Sequence, residues 1–284
     1  MPEGDSIHRL AARLRPLAGR VITGAAAKRL SNDACSSLIG RVVAAVEARG
    51  KNLLVHLDDG RTLHLHLKML GRVSIVERAA ERSRGAYRAA LGARAAPSTP
   101  DLRLELGEVA VVGSRLPVVR LLRDAARASD LASLGPDLLG ESFDERAAVA
   151  RLRAHAADPI GVALMRQSAV AGIGNVYKSE ILFLQGVDPR VPVEALDDDA
   201  LVGLLRRARS LLQKNVGRGP RVTRSSLRGE RHWVYGREGE PCFSCGSTVE
   251  RVHQRSSDSN ASDHRFLPPV PARMAGRSRR DLLE

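Results

Sequence analysis

The chain lacks any apolar run long enough to cross a bilayer, which excludes a helical membrane anchor. Its amino terminus also lacks the charged-then-apolar pattern of a secretory signal, so the expected compartment is the cytoplasm. Cysteine is scarce, with three in 284 residues. Only two lie close together, so there is no disulfide framework; a reduced compartment and a metal knuckle are the readings left. No internal repeat and no heptad run is present, which removes solenoids and coiled coils. What remains is a chain long enough for two modest domains, with 43% hydrophobic content and a formal net charge of +13. Arginine greatly outnumbers lysine. Guanidinium forks match phosphate oxygens and displace counterions, so a polyanionic partner is expected. GC-rich coding, which inflates arginine and alanine together, is the competing explanation.

The chain opens Met1-Pro2-Glu3-Gly4. Removal of Met1 leaves a secondary amine at Pro2, and an α-amino group titrates near pH ~8, so a useful fraction is nucleophilic at neutral pH. Such an amine can attack C1′ of a damaged nucleoside and form an iminium, with Glu3 placed to shuttle protons. Chance accounts for many Met-Pro starts, so the remaining motifs decide.

Helical spacing of Ile7, Leu10, Ala11 and Leu14 predicts a helix directly after this tetrapeptide. Strands are expected at Arg41–Val46, Leu53–Leu57, Arg61–Met69, Arg72–Val76, Leu102–Leu106 and Glu108–Val112, with a hairpin turn at Asp58-Asp59-Gly60. In the third, Leu63, Leu65 and Leu67 share one face, while His64, His66 and Lys68 form a solvated one. Glu81 to Pro100 reads as a loop. Helices follow at Val118–Ala126, Asp144–Ala154, Ile160–Ala169, Val176–Gln185 and Asp197–Lys214, then a basic linker at Gly217–Glu230. The class is α+β. Expected domains are a β-sandwich with a leading helix (1–116), a helical domain (117–220) and a zinc-finger-like region (221–284).

Three further motifs carry chemistry. Gln167 to Tyr177 (Gln-Ser-Ala-Val-Ala-Gly-Ile-Gly-Asn-Val-Tyr) puts two glycines in a turn between apolar helices, with Asn175 read as the N-cap. The backbone there can approach a phosphate, although a plain helix corner uses the same residues. Arg49-Gly50-Lys51 places a lysine at a glycine turn entering a strand, which is either a phosphate contact or a solvated side chain. Tyr235-Gly236-Arg237 leads to Cys242-Phe243-Ser244-Cys245-Gly246, and this turn aims two thiols at one point. His253 and His264 lie downstream as further ligands or as ordinary surface residues.

In this order the four motifs resemble the formamidopyrimidine-DNA glycosylase/endonuclease VIII family of base-excision repair, over Met1 to about Gly246, and most nearly its actinobacterial endonuclease VIII-like branch. The resemblance implies a bifunctional DNA glycosylase/AP lyase with Pro2 as nucleophile, Glu3 as proton donor and acceptor, and Lys51 beside the lesion phosphate. It implies Met69 as the side chain filling the void left by a flipped nucleotide, and Asn175, Lys178, Tyr235 and Arg237 as DNA-binding residues. Zinc on Cys242 and Cys245 is implied, with no organic cofactor. The partner is damaged double-stranded DNA, with no membrane, and the protein a monomer at the nucleoid. Oxidised pyrimidines are the branch expectation and oxidised purines the alternative; a non-catalytic DNA-binding relative is the rival, and an RNA-binding protein a third reading.

The tail departs from the family, which closes its zinc hairpin with a second Cys-x-x-Cys. Here an unpatterned polar stretch and a basic end follow Gly246. Read one nucleotide later, Asp263-His264-Arg265-Phe266-Leu267-Pro268-Pro269-Val270-Pro271-Ala272 can encode Thr-Thr-Gly-Phe-Cys-Pro-Pro-Cys-Gln. The tail is therefore expected to be a frameshift product, and resequencing checks it: codons that forbid this peptide exclude the shift.

Overall fold

A computed structural model describes residues 2–79, 99–123, 131–217, 219–225, 229–252 and 254. The chain divides into two compact units, Met1–Ser133 and Leu134–Glu284.

In the first unit, helix α1 (Gly4–Leu14) and a 3₁₀ turn (Arg15–Leu17) come first, and the described residues after them include eight strands and a short helix, α2 (Asn32–Ser36). Strands β1 (Gly24–Ala27), β6 (Leu102–Leu106), β7 (Val109–Ser114) and β5 (Arg72–Glu77) form one antiparallel sheet in the order β1-β6-β7-β5. The other has the order β2-β3-β4-β8: β2 (Val43–Arg49), β3 (Asn52–Leu57), β4 (Thr62–His66) and β8 (Val118–Leu122). Alternation sets which side chains face inward. Leu102, Leu104 and Leu106 of one sheet share a core with Leu53, Val55, Leu63 and Leu65 of the other. Ile7, Leu10, Ala11 and Leu14, one face of α1 at helical spacing, complete it. Each fully buried leucine contributes roughly 1.5–3 kcal/mol. The sandwich with its leading helix is as expected.

Three local expectations fail. Val118–Leu122 is a strand, because Leu121 and Val119 pair across from Leu63 and Leu65 and tertiary pairing decides a short apolar run. β4 is buried on both faces rather than one: Thr62 and His64 are 0% and 8% exposed, and His64 Nε2 lies 2.8 Å from Asn52 Oδ1. The helix expected at Ile160–Ala169 stops at Ala163, after which the chain turns through Met165 N–H to Val162 O and Arg166 N–H to Ala163 O. The expected loop at 81–100 lies almost wholly outside the described residues.

The second unit contains α3 (Glu145–Arg153), α4 (Ile160–Ala163), α5 (Asn175–Gln185) and α6 (Asp198–Asn215). Asp144 and Asp197 cap α3 and α6 by accepting the Ala147 and Ala200 amides at 2.9 and 2.7 Å. Leu201, Leu204, Leu205, Ala208, Leu211 and Leu212 bury one stripe of α6. Against it lies α5, buried from Asn175 to Phe183 and ended by Gly186 in the left-handed conformation. No helix among the described residues is long and apolar enough to cross a membrane.

Candidate active site

In the first unit, Glu3 is the N-cap of α1. Its backbone is extended and its carbonyl accepts the Ser6 and Ile7 amides at 3.0 and 3.1 Å. The apolar face of α1 packs on β2, so the direction in which Pro2 leaves the fold is fixed by the core. Pro2 is half-buried, and Glu3 is only 1% exposed. One turn on, Asp5 is fully buried and takes Arg9 at 3.4 Å.

Lys51 occupies the tip of the β2–β3 hairpin, between the paired residues Arg49 and Asn52. Gly50 has φ 56°, the backbone a two-residue hairpin loop asks of glycine. Asn52 clamps the base of this tip. Its Nδ2 donates to Arg49 O at 3.1 Å, and its Oδ1 meets His64. Beside it, burial holds His66 down at about 4, with the positive charges of Lys68 and Lys51 adding to the effect. The Lys68 amide donates to His66 Nδ1 at 3.0 Å, which suits a neutral ring. Two lysines thus flank a neutral imidazole. Alternation with Leu63, Leu65 and Leu67 predicts a solvated face for His66, whereas the side chain is half-buried.

Beyond β4 the chain turns sharply. Lys68 has φ 48°, and Gly71 N–H closes onto Leu67 O at 2.9 Å. A Cβ on Gly71 would stand 2.5 Å from that carbonyl oxygen, so only glycine fits. The turn leaves Met69 59% and Leu70 65% exposed. Leu70 was not singled out from sequence.

In the second unit Gln167 organises the two-glycine turn. Its Nε2 donates to Met165 O and Ile173 O at 2.9 and 3.1 Å, and its Oε1 accepts the Gly172 amide at 3.2 Å. Gly172 has φ 109°. The N-cap of α5 is Gly174, not Asn175, and the helix starts at Asn175, one residue earlier than expected, because Gly174 is the last residue with extended backbone. The helix start supplies amides and a field that favour an anion. Lys178 is 1% exposed, inside α5, so its side chain is not the surface cation that the expected DNA contact requires.

The segment after α6 is held by few groups. Tyr235 stands edge-on to His232 at 5.9 Å. Arg237, expected to reach DNA, is 3% exposed and engaged within its own loop. It bonds Glu240 at 2.9 Å and the Trp233 and Pro241 carbonyls at 2.7 Å, and it lies 3.4 Å from the Phe243 ring centre. Arg224 approaches the same ring at 3.8 Å. Arg237 is a brace of this loop, and its guanidinium is not presented outward.

Cys242 packs with Phe183, Val234 and Val249, and Cys245 is exposed. Beside Cys245, the Ser247 hydroxyl holds its thiol below the usual range. Among the described residues no group of three His, Cys, Asp or Glu could hold a metal. His253, His264 and the tail lie outside them. Among the described residues, Cys242 and Cys245 supply two of the four donors that a structural zinc takes.

Residues 1–115 match the formamidopyrimidine-DNA glycosylase N-terminal domain, and residues 134–226 match the H2TH domain of the same glycosylases. A relative from Streptomyces coelicolor, "Probable endonuclease 8 2", is 39% identical over 280 residues, covering 98% of this chain and 96% of that one. The chain belongs to the formamidopyrimidine-DNA glycosylase family. It is also 36% identical over 252 residues to the DNA-(apurinic or apyrimidinic site) lyase Nei2 of Mycolicibacterium smegmatis, covering 88% and 92% of the two chains. A formamidopyrimidine-DNA glycosylase of Moorella thermoacetica is 34% identical over 231 residues, covering 76% and 78%. Among solved structures, the Lactococcus lactis glycosylase bound to abasic-site DNA shares the fold, with a TM-score of 0.71 at 21% identity over 94% of this chain and 98% of that one. Membership makes this a base-excision repair enzyme of the glycosylase/lyase type, with similarity to actinobacterial endonuclease 8 proteins.

Proposed function

We propose that the protein removes oxidised bases, pyrimidines first, from double-stranded DNA and nicks the strand by β-elimination, with Pro2 as nucleophile. The observation that carries this is the placement of Pro2 and Glu3: they directly precede a helix whose buried face fixes where the chain leaves the fold, with Glu3 almost fully enclosed. The Pro2 nitrogen forms a bond to C1′ as the glycosidic bond breaks, and the base leaves with a proton. The sugar ring then opens as the C1′–O4′ bond breaks and O4′ takes a proton from Glu3, and the iminium so formed is an electron sink. Loss of a C2′ proton then expels the 3′ phosphate, and water releases Pro2. Glu3 is the proton donor and acceptor of these steps.

Lys51, on its clamped hairpin tip, binds the phosphate beside the lesion. Met69, on the rigid turn, fills the space left by the flipped nucleotide. Asn175 and the amides at the start of α5 take a second phosphate. Tyr235 contributes from the segment that Arg237 braces. Preference for pyrimidines follows the branch resemblance, in which the endonuclease 8 2 proteins are 39% and 37% identical against 34% for a formamidopyrimidine-named one. The enzyme acts as a monomer in the cytoplasm, at the nucleoid.

Borohydride added with abasic duplex and Met1-processed protein should trap a covalent adduct through Pro2, and absence of that adduct overturns the reading. Binding without nicking would identify a non-catalytic relative. A panel of lesion duplexes decides between pyrimidine and purine substrates.

A further inference from the structure

A buried carboxylate that the chemistry above does not use stands on α5. Glu180 is 0% exposed and lies on the helix that begins with Asn175. Its Oε1 accepts the amides of Val234 and Tyr235 at 2.9 and 2.8 Å, and its Oε2 accepts the amide of Trp233 at 2.8 Å and the Thr223 hydroxyl. Three successive amides can converge on one side chain only where the backbone curls around it, as in an anion nest. Val234 is itself 0% exposed, so its amide has no route to water should the acceptor be lost. A carboxylate suits this place because it offers acceptors alone; an amide side chain of the same size would turn an NH₂ toward an N–H. Thr223 adds a second tie, since its amide donates to Arg231 O at 2.9 Å and its carbonyl accepts the Trp233 indole at 3.2 Å.

We propose that Glu180 is a positioning residue for DNA binding: it locks Thr223 and Trp233–Tyr235 to α5, so that Tyr235 and the Arg237 loop are held in register with the phosphate-binding start of the same helix. This rests on the functional reading above, in which Asn175 and Tyr235 meet DNA. The alternative is that Glu180 supports folding alone. A positioning role separates from it in kinetics, because a loosened grip weakens binding while leaving the chemistry of Pro2 intact once duplex saturates the enzyme.

Trp233 is the only tryptophan, so the segment carries its own reporter. In the full-length protein, Glu180→Gln should raise acrylamide quenching of Trp233 and raise Kd for an abasic-analogue duplex about tenfold or more, as expected for loss of charge-assisted hydrogen bonds. KM for abasic duplex should rise in parallel, with the saturated single-turnover rate within about twofold of wild type. Thr223→Val, which removes the hydroxyl alone, should shift both readouts the same way by about threefold. This milder variant keeps the test open if Glu180→Gln does not fold by circular dichroism. Unchanged Kd in folded Glu180→Gln, or a fall in the saturated rate at constant KM, overturns the proposal. So does wild-type behaviour of Thr223→Val beside an unfolded Glu180→Gln. Failure of the wild-type protein to bind abasic duplex would instead overturn the functional reading, and is seen before any variant is made.

Discussion

The β-sandwich and the Trp233–Val249 segment of the second unit are held together by different means. In the sandwich, leucines and valines from two sheets and α1 bury against one another, and no single contact decides the outcome. In the segment, a cluster of Phe183, Val234, Cys242 and Val249 is supplemented by two ionisable side chains, Glu180 and Arg237, each bonded to several backbone groups. Area-based cohesion degrades by increments, whereas a charged pin fails at a single substitution. The terminus proposed to do the chemistry rests on the first kind of support and the segment read as part of the DNA grip on the second.

Four measurements sharpen or break that contrast. The largest effect is expected at the chemical terminus: Pro2→Thr should lower nicking of abasic duplex by on the order of a thousandfold and abolish borohydride trapping, with duplex affinity kept. Leu53→Ala, at a fully buried core position, should cost about 2–5 kcal/mol in denaturant unfolding. A smaller loss would mean the sandwich relaxes more freely than its packing implies.

Acid should weaken the sandwich through His66. Its folded value of about 4 lies below the ordinary 6.5, so the unfolded chain takes up the proton first. Stability is therefore full above pH ~6.5 and falls as pH drops toward ~4, by up to about 3 kcal/mol, a loss that His66→Gln should remove. Arg237→Ala should cost about 1–3 kcal/mol, read as greater Trp233 quenching with little change in the sandwich. If both units weaken equally, the contrast between them is false.

Much of this was legible in the chain. The strand Leu102–Leu106 and the α1 face were visible because a period of two and a period near 3.6 leave direct traces in sequence. Pro2, Glu3 and Lys51 were visible as motifs. The strand at Val118–Leu122 was not, since five apolar residues fit either element until a partner strand is known. The resemblance implies Arg237 and Lys178 as DNA-binding residues, but a motif match carries no information on burial, and both side chains are enclosed. Glu180 was missed for the same reason: its partners lie 43 to 55 residues away.

The left-handed Lys68 has one further consequence. A non-glycine residue at φ 48° carries about 1–2 kcal/mol of backbone strain, which the rest of the domain sustains. The raised tip bearing Met69 and Leu70 is therefore preorganised. On the proposed reading of Met69, such a tip has little conformational entropy left to lose on entering a duplex.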